Sequence, residues 1–490
     1  VNMTMFLPAG TRFPNHSIVD HLDLTAALRP CIKSGRLNAA LISVSIGPVQ
    51  DLIAQARKLK DLWAGSYLLS WLIYKGIEYI GKKYGFDSII FPYLRGNYFV
   101  KKTLENMGVQ INQLTSQFPE MPAHIASLPN IFIAIIPAHN NVQEDLQAIR
   151  QAIKNEWNRL VDETLRNLEN PSSDLSVCFF DKEEALKQRN NFPNILTTFV
   201  IFPDVGNIQN FIKSSFVSSD IDEYIRILKK LEEAKAYQMK EGTFYSYIYK
   251  YLARKATAIK NTRFFKGFFE ETKSNGLRDA DDWGGDVKAI AEFVGKDEDG
   301  SEKVDKLGLV NTVKRFLPHV LPDYLKIREI FRKSKQQKQT MFESTTEIAQ
   351  RNRVNPEDKL LNAYFAVLVM DGDQMGKWLS GAKEKALEYG KLAHEKVIEK
   401  IKKEFPELEN VLEDMLNIRK ITPTYHKTIS RTLGVFSTLV EQVVKEYEGV
   451  LIYSGGDDVL ALLPADRVLE CANEIRKIFS GTNATIPPEN

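Results

Sequence analysis

The chain of 490 residues has little cysteine: Cys31, Cys178 and Cys471 only. None stands in a C-x-x-C pair, so neither a disulfide framework nor a zinc knuckle is readable. A reducing, cytoplasmic compartment is the expectation, with no zinc. Long apolar runs are missing too. The longest, such as Tyr364–Met370, fall far short of the roughly 18 residues a membrane span needs. No signal peptide is visible, so no membrane partner is expected. Charge of one sign is also lacking, since 65 Lys and Arg against 63 Asp and Glu leave +2. That balance neither demands nor excludes nucleic acid, because a basic groove can hide in a neutral total. What is present is ordinary globular material, long enough for roughly three domains.

Residues 1–35 read as a leader ending in a short helix. The β-branched run Leu37–Ile46 predicts a strand, broken by Gly47-Pro48. Apolar periodicity through Leu52, Ala56, Leu59 and Leu62, and again from Leu68 to Ile80, predicts helix. Strands are expected at Ser88–Phe91, Asn130–Ile136 and Thr197–Phe202, with a long amphipathic helix over Val142–Leu168. The order over 36–205 is β-α-β-β-α-β, which suits an α+β sandwich on an antiparallel sheet. Residues 206–345 read as mainly helical. Within them Thr272–Asp305 is rich in aspartate (Asp279, Asp281, Asp282, Asp286, Asp297, Asp299). Its order fails a calcium loop, because Trp283 stands where an oxygen ligand belongs, and a solvated loop is the expectation. The basic stretch Lys326–Lys338 reads as a solvated face, with an RNA-phosphate contact as the alternative.

The last block, 346–490, orders β-α-β-β-α, one strand short of a four-stranded palm, so it reads as incomplete at its C-terminus. An apolar strand, Phe365–Met370, ends in Asp371-Gly372-Asp373 and leads into a helix. Val450–Tyr453 and Val459–Leu463 flank the tight turn Ser454-Gly455-Gly456-Asp457-Asp458. Two glycines permit positive φ and let a phosphate or ribose approach the backbone. Two adjacent aspartates crowd like charges, a cost that cations relieve. Were the first strand to lie beside the hairpin, Asp371 would join Asp457 and Asp458. Three hard carboxylates suit Mg²⁺ or Mn²⁺, and two such ions suit nucleotidyl transfer. Amides at Gly372–Gly376 and the side chain of Lys377 suit phosphate. Asp373 reads either as a further ligand or as a dipole-favoured residue. His426 reads equally as a substrate contact and as a packing residue. The two blocks also rhyme: SVSIGPVQDL in the first stands where VLVMDGDQMG stands in the second, without the aspartates.

These residues carry a resemblance. YSGGDDVLALLP, TPTYHKTISRTL, VLVMDGDQMGKWLSG and ISVSIGPVQDLIAQARKLKDLWAGSYLLSWL together resemble the large palm-domain subunit of type III CRISPR effector complexes, most closely the Cmr (III-B) branch. FESTTEIA and the leader HLDLTAAL resemble it as well. The resemblance implies two ferredoxin-like palms, the first degenerate and the second bearing the G-G-D-D turn. It implies an ATP-binding, metal-dependent enzyme that makes cyclic oligoadenylates when target RNA pairs with guide RNA, seated beside a RAMP-type partner subunit. Metal roles carry over to Asp371, Asp457 and Asp458, and nucleotide contact to Ser454, Gly455 and Gly456. In the W-A-G-S stretch, Gly65 and Ser66 match a segment that faces nucleotide. The family's HD nuclease motif is missing, since no H-D dipeptide occurs. Two rival readings stay open: a scaffold that only binds nucleotide, and a template-directed polymerase.

Overall fold

The computed structural model describes residues 9, 16–111, 120–170, 176–215, 219–233, 235, 238–262, 280–285, 287–296, 302–330, 345–351, 364–381, 395–406, 409–416 and 421–482. The leader forms α1 (Ile18–Leu28), opened by a capping box. The Ser17 hydroxyl accepts from the Asp20 amide at 3.1 Å, and the Asp20 carboxylate accepts from the Ser17 amide. Two donors that a helix start leaves free are satisfied in this way.

The first block then runs β1 (Ala39–Gly47), α2 (Leu59–Tyr84), β2 (Ile89–Phe91), β3 (Ile131–Pro137), α3 (Val142–Glu169), β4 (Ser176–Phe180) and β5 (Asn194–Ile201). Its main sheet has the order β2-β3-β1-β5, antiparallel throughout. Strand β1 is central because both of its faces are apolar. Ala40, Ile42 and Val44 share a core with α2 and α3, whereas Ala39 and Leu41 share another with Tyr245, Ile248 and Leu252 of α4 (Tyr245–Asn261). The helix expected to run on from Pro48 is interrupted. A short turn of helix, Gln50–Ala54, stops, and α2 begins only at Leu59. Its exposed carbonyls are taken by Lys314, whose ammonium donates to Leu52 O at 2.8 Å and to Gln55 O.

Strand β4 leaves the main sheet. It pairs with β6 (Ala291–Lys296), which pairs with β7 (Glu302–Leu307), in a second antiparallel sheet. The expectation of a solvated loop over Thr272–Asp305 is therefore corrected. Asp281 is buried and accepts from the amides of Trp283 (2.7 Å), Gly284 (3.0 Å) and Gly308 (2.5 Å). A carboxylate surrounded by backbone donors is stable without solvent or metal. Asp279, Asp286, Asp297 and Asp299 lie outside the described residues, as do Phe331–Lys338 of the basic stretch. Helix α5 (Leu309–Val320) follows and carries Lys314.

The last block runs β8 (Phe365–Met370), α6 (Met375–Ser380), α7 (Pro423–Glu446), β9 (Val450–Gly455), β10 (Asp458–Pro464) and α8 (Val468–Ser480), with strand order β8-β10-β9. Helices α7 and α8 cover one face through Phe436, Val440 and Ile475. On the other face Ile452 and Leu462 join the core built around α2. The two blocks thus share packed interior. Strand β8, apolar throughout, is covered on one face only: Leu368 is 8% exposed but Val369 is 70% exposed.

Candidate active site

Strand β8 pairs with β10 in a register that sets Met370 opposite Val459. The next residue along each chain in that direction is Asp371 on one side and Asp458 on the other. Backbone pairing alone therefore brings them together. Burial pushes the Asp458 carboxyl up to about 6, and the charges of Asp457 and Asp371 push in the same direction. Asp457 is also raised, by burial first and by Asp371 after it, while its own amide and that of Gly372 oppose the shift by donating to it. The sequence-predicted triad is thus assembled as a mutually repelling set.

Gly372 is the reason Asp457 fits. A Cβ built on Gly372 would stand 2.7 Å from the Cβ of Asp457 and 2.8 Å from its Oδ2. Any side chain there would displace the carboxylate. At the hairpin, Gly456 adopts φ +71°, and a Cβ on Gly455 would meet the Tyr453 hydroxyl at 2.6 Å. That hydroxyl donates to Gly455 O at 3.2 Å, closing the turn on itself. Asp371 and Asp373 are exposed on the turn after β8, and Lys377 is exposed on α6.

The hairpin also leans on the first block. The Ser454 amide donates to Ala126 O at 3.1 Å, and Tyr453 forms a parallel bridge with Ala126. Helix α2 holds the segment that offers this carbonyl. Trp63 Nε1 donates to His124 O at 2.6 Å, the Tyr67 hydroxyl to Ala123 O at 2.9 Å and the Ser70 hydroxyl to Leu128 O at 2.7 Å. The Ser454 hydroxyl is buried without a partner among the described residues.

Three expected nucleotide contacts are corrected. Gly65 and Ser66 are buried within α2, with Gly65 pressed close to Leu52 and Lys314. Neither lies on a surface a nucleotide reaches, and the W-A-G-S helix serves the site through Trp63, Tyr67 and Ser70 instead. His426 is also buried, and both ring nitrogens are engaged. Its Nε2 donates to Leu379 O at 2.8 Å, so Nδ1 accepts from the Tyr245 hydroxyl at 2.8 Å. Burial lowers it to about 4, so it is a neutral packing residue.

A cleft beside Gly456 was not foreseen. It lies between Phe91 and Tyr93 of the first block and Ser430, Gly434 and Ser437 of α7. The hydroxyls of Tyr93 and Ser430 are buried at its wall without partners among the described residues. Ser430, Gly434 and Ser437 are small residues at helical i, i+4, i+7 spacing. That pattern, legible in the sequence, marks a helix face that leaves room.

Does the triad suit a metal? Among the described residues, no group of three or more His, Cys, Asp or Glu side chains is already arranged as a cage. The donor chemistry does fit. Asp371 and Asp458 meet at one end of two paired strands with Asp457 beside them, and carboxylate oxygen is the donor type a divalent cation takes.

Two family models match. One, described as CRISPR-associated protein Cmr2, N-terminal, covers residues 41–162, and the other, Cas10/Cmr2, second palm domain, covers 364–487. The CRISPR system Cmr subunit Cmr2 of Pyrococcus furiosus is 28% identical, over 96% of this chain and 58% of the relative. A chain in the cryo-EM structure of the apo type III-B Cmr-beta shares the fold with a TM-score of 0.66 at 18% identity, over 98% of this chain and 65% of that one. Its counterpart in the same assembly bound to cognate target RNA gives 0.57 at 18% identity, over 96% and 65%. The chain therefore spans less than two thirds of the length of these relatives. With both blocks matched and the paired aspartates in register, the chain belongs to the Cas10/Cmr2 family of type III-B CRISPR systems.

Proposed function

We propose that this chain is the nucleotidyltransferase subunit of a guide-RNA effector complex, binding ATP at the G-G-D-D turn and making cyclic oligoadenylates when target RNA is present. The observation that carries the reading is the convergence of Asp371, Asp457 and Asp458 at the end of paired strands, where burial first and neighbouring carboxylates second raise Asp457 and Asp458. We read both blocks as ferredoxin-like palms. The order β2-β3-β1-β5 in the first, and β8-β10-β9 in the second, supports this.

Asp371, Asp457 and Asp458 would hold Mg²⁺ or Mn²⁺, which would supply Lewis-acid activation of a ribose hydroxyl and neutralise charge at an α-phosphate. The chain's own contribution is positional. Gly372 admits the Asp457 carboxylate, and Gly456 leaves the hairpin tip bare of side chain for a ribose or phosphate. A narrow cleft walled by Tyr93 and Ser430 adjoins this tip and is where the rest of a nucleotide would lie. A RAMP-type neighbour, other Cmr subunits, guide RNA and target RNA belong to the same proposal. The target-RNA-bound state of the Cmr-beta relative supports it.

The test is the assembled complex incubated with ATP, target RNA and Mg²⁺. Cyclic adenylates are expected, and their loss in an Asp457→Ala, Asp458→Ala double variant. ATP affinity unchanged in a Mn²⁺ titration of that variant would sink the metal assignment. Template-dependent extension in place of cyclic products would favour a polymerase.

A further inference from the structure

The leader helix makes the most deeply buried ion pair described in this chain. Asp20 of α1 is 2% exposed. Its carboxylate accepts from Arg431 of α7, Nε at 3.2 Å and Nη2 at 3.1 Å, with side-chain exposures of 7% for Arg431 and 3% for Asp20. The Thr428 hydroxyl donates to it at 2.9 Å, and so does the Ser17 hydroxyl. One turn on, Asp23 meets Arg95 at 2.5 Å in a more exposed pair. These cations border the cleft beside the G-G-D-D hairpin. Arg431 follows Ser430, which lines the cleft, and Arg95 lines it directly. The Tyr93 ring lies so close over α7 that a Cβ on Gly434 would meet it at 2.6 Å.

We propose that Asp20 is a positioning residue for nucleotide binding: through Arg431 it fixes the α7 wall, Ser430 to Gly434, and with it the seat of Tyr93. The proposal rests on the nucleotide reading of the cleft. Physically, a guanidinium buried to this degree must keep a charged partner or leave its place. Without the Asp20 charge, Arg431 turns toward the nearest polar space, and the cleft is beside it. The exposed Asp23–Arg95 pair is a weak tether by comparison.

The test uses the full chain in its complex, with Asp20→Asn, Asp20→Glu and Asp145→Asn. Asp145 is an equally buried acid, held by Lys83, Tyr79 and Tyr84 away from the cleft, and it reports generic loss of stability. Asp20→Asn is expected to raise the KM for ATP about tenfold with kcat within about twofold. Asp20→Glu should recover most of that loss. Asp145→Asn should leave KM unchanged, even where it lowers Tm as much. Equal KM changes in the two Asn variants overturn the proposal.

Amide hydrogen exchange over 91–97 and 427–438, without nucleotide, is the second readout. It should rise in Asp20→Asn and not in Asp145→Asn, and no rise overturns the proposal. Should the parent complex fail to bind ATP, the nucleotide reading falls, while the exchange result still decides whether Asp20 sets the wall.

Discussion

Asp458 is the residue whose chemistry is most exposed to measurement. Its carboxyl stands at about 6 in the folded chain against an ordinary 3.8, so the folded chain binds a proton that the unfolded chain has released. The stabilising contribution is present below about pH 4 and is lost as pH rises through about 6. In metal-free buffer the Tm difference between the parent and Asp458→Asn should change across this window, the parent gaining on the variant as pH falls. Millimolar Mg²⁺ should flatten the difference near neutral pH, and a profile indifferent to Mg²⁺ would contradict a metal at the triad. Gly372→Ala tests the other half of the geometry. The added methyl would meet Asp457 at 2.7 Å, so Mn²⁺ affinity should fall by about tenfold or more while global stability changes by about 1–3 kcal/mol. Isothermal titration with Mn²⁺ and urea denaturation measure the two effects.

Among elements, α2 links the two blocks through the segment that follows β2. Its Trp63, Tyr67 and Ser70 brace the 123–128 segment, and that segment bonds the Ser454–Asp458 hairpin. Trp63→Phe keeps most of the ring and removes the indole N–H. It should cost about 1–2 kcal/mol, since it leaves His124 O without its donor. Amide exchange at Ser454 should rise. Unaltered exchange there would show that the brace does not reach the hairpin.

At this scale the sequence was most readable. Strand–helix alternation gave the elements of the first block, because β1 and α3 have strong apolar periodicity. The meeting of Asp371 and Asp458 was readable as well, since antiparallel pairing of two strands that end in aspartate forces the contact. The β4-β6-β7 sheet was not. Strand β4 pairs with β6 across a long stretch of chain, and the turn aspartate is buried by backbone donors that no local pattern reveals. The burial of Gly65, and the choice of packing over substrate contact for His426, depend on Lys314 and Tyr245, which are far away in sequence.

For the whole molecule, Lys314 is the buried link between α5 and the first block. Burial depresses its ammonium to about 8 from 10.5, with Asp61 and Asp281 acting against the shift. The unfolded chain holds more protons between these values, so stability rises with pH across that window. Lys314→Met should lack this rise. Chemical denaturation midpoints at about pH 7.5 and about pH 10, taken as differences from the parent, test it.

The Asp20–Arg431 pair spans 411 residues of chain, and the bond from Lys427 to Asp87 O spans 340. A ribosome adding about 5–20 residues each second needs on the order of tens of seconds to supply the later partner. Through that interval the Asp20 carboxylate has no Arg431 to pair with. The cleft wall therefore cannot mature until synthesis has passed α7.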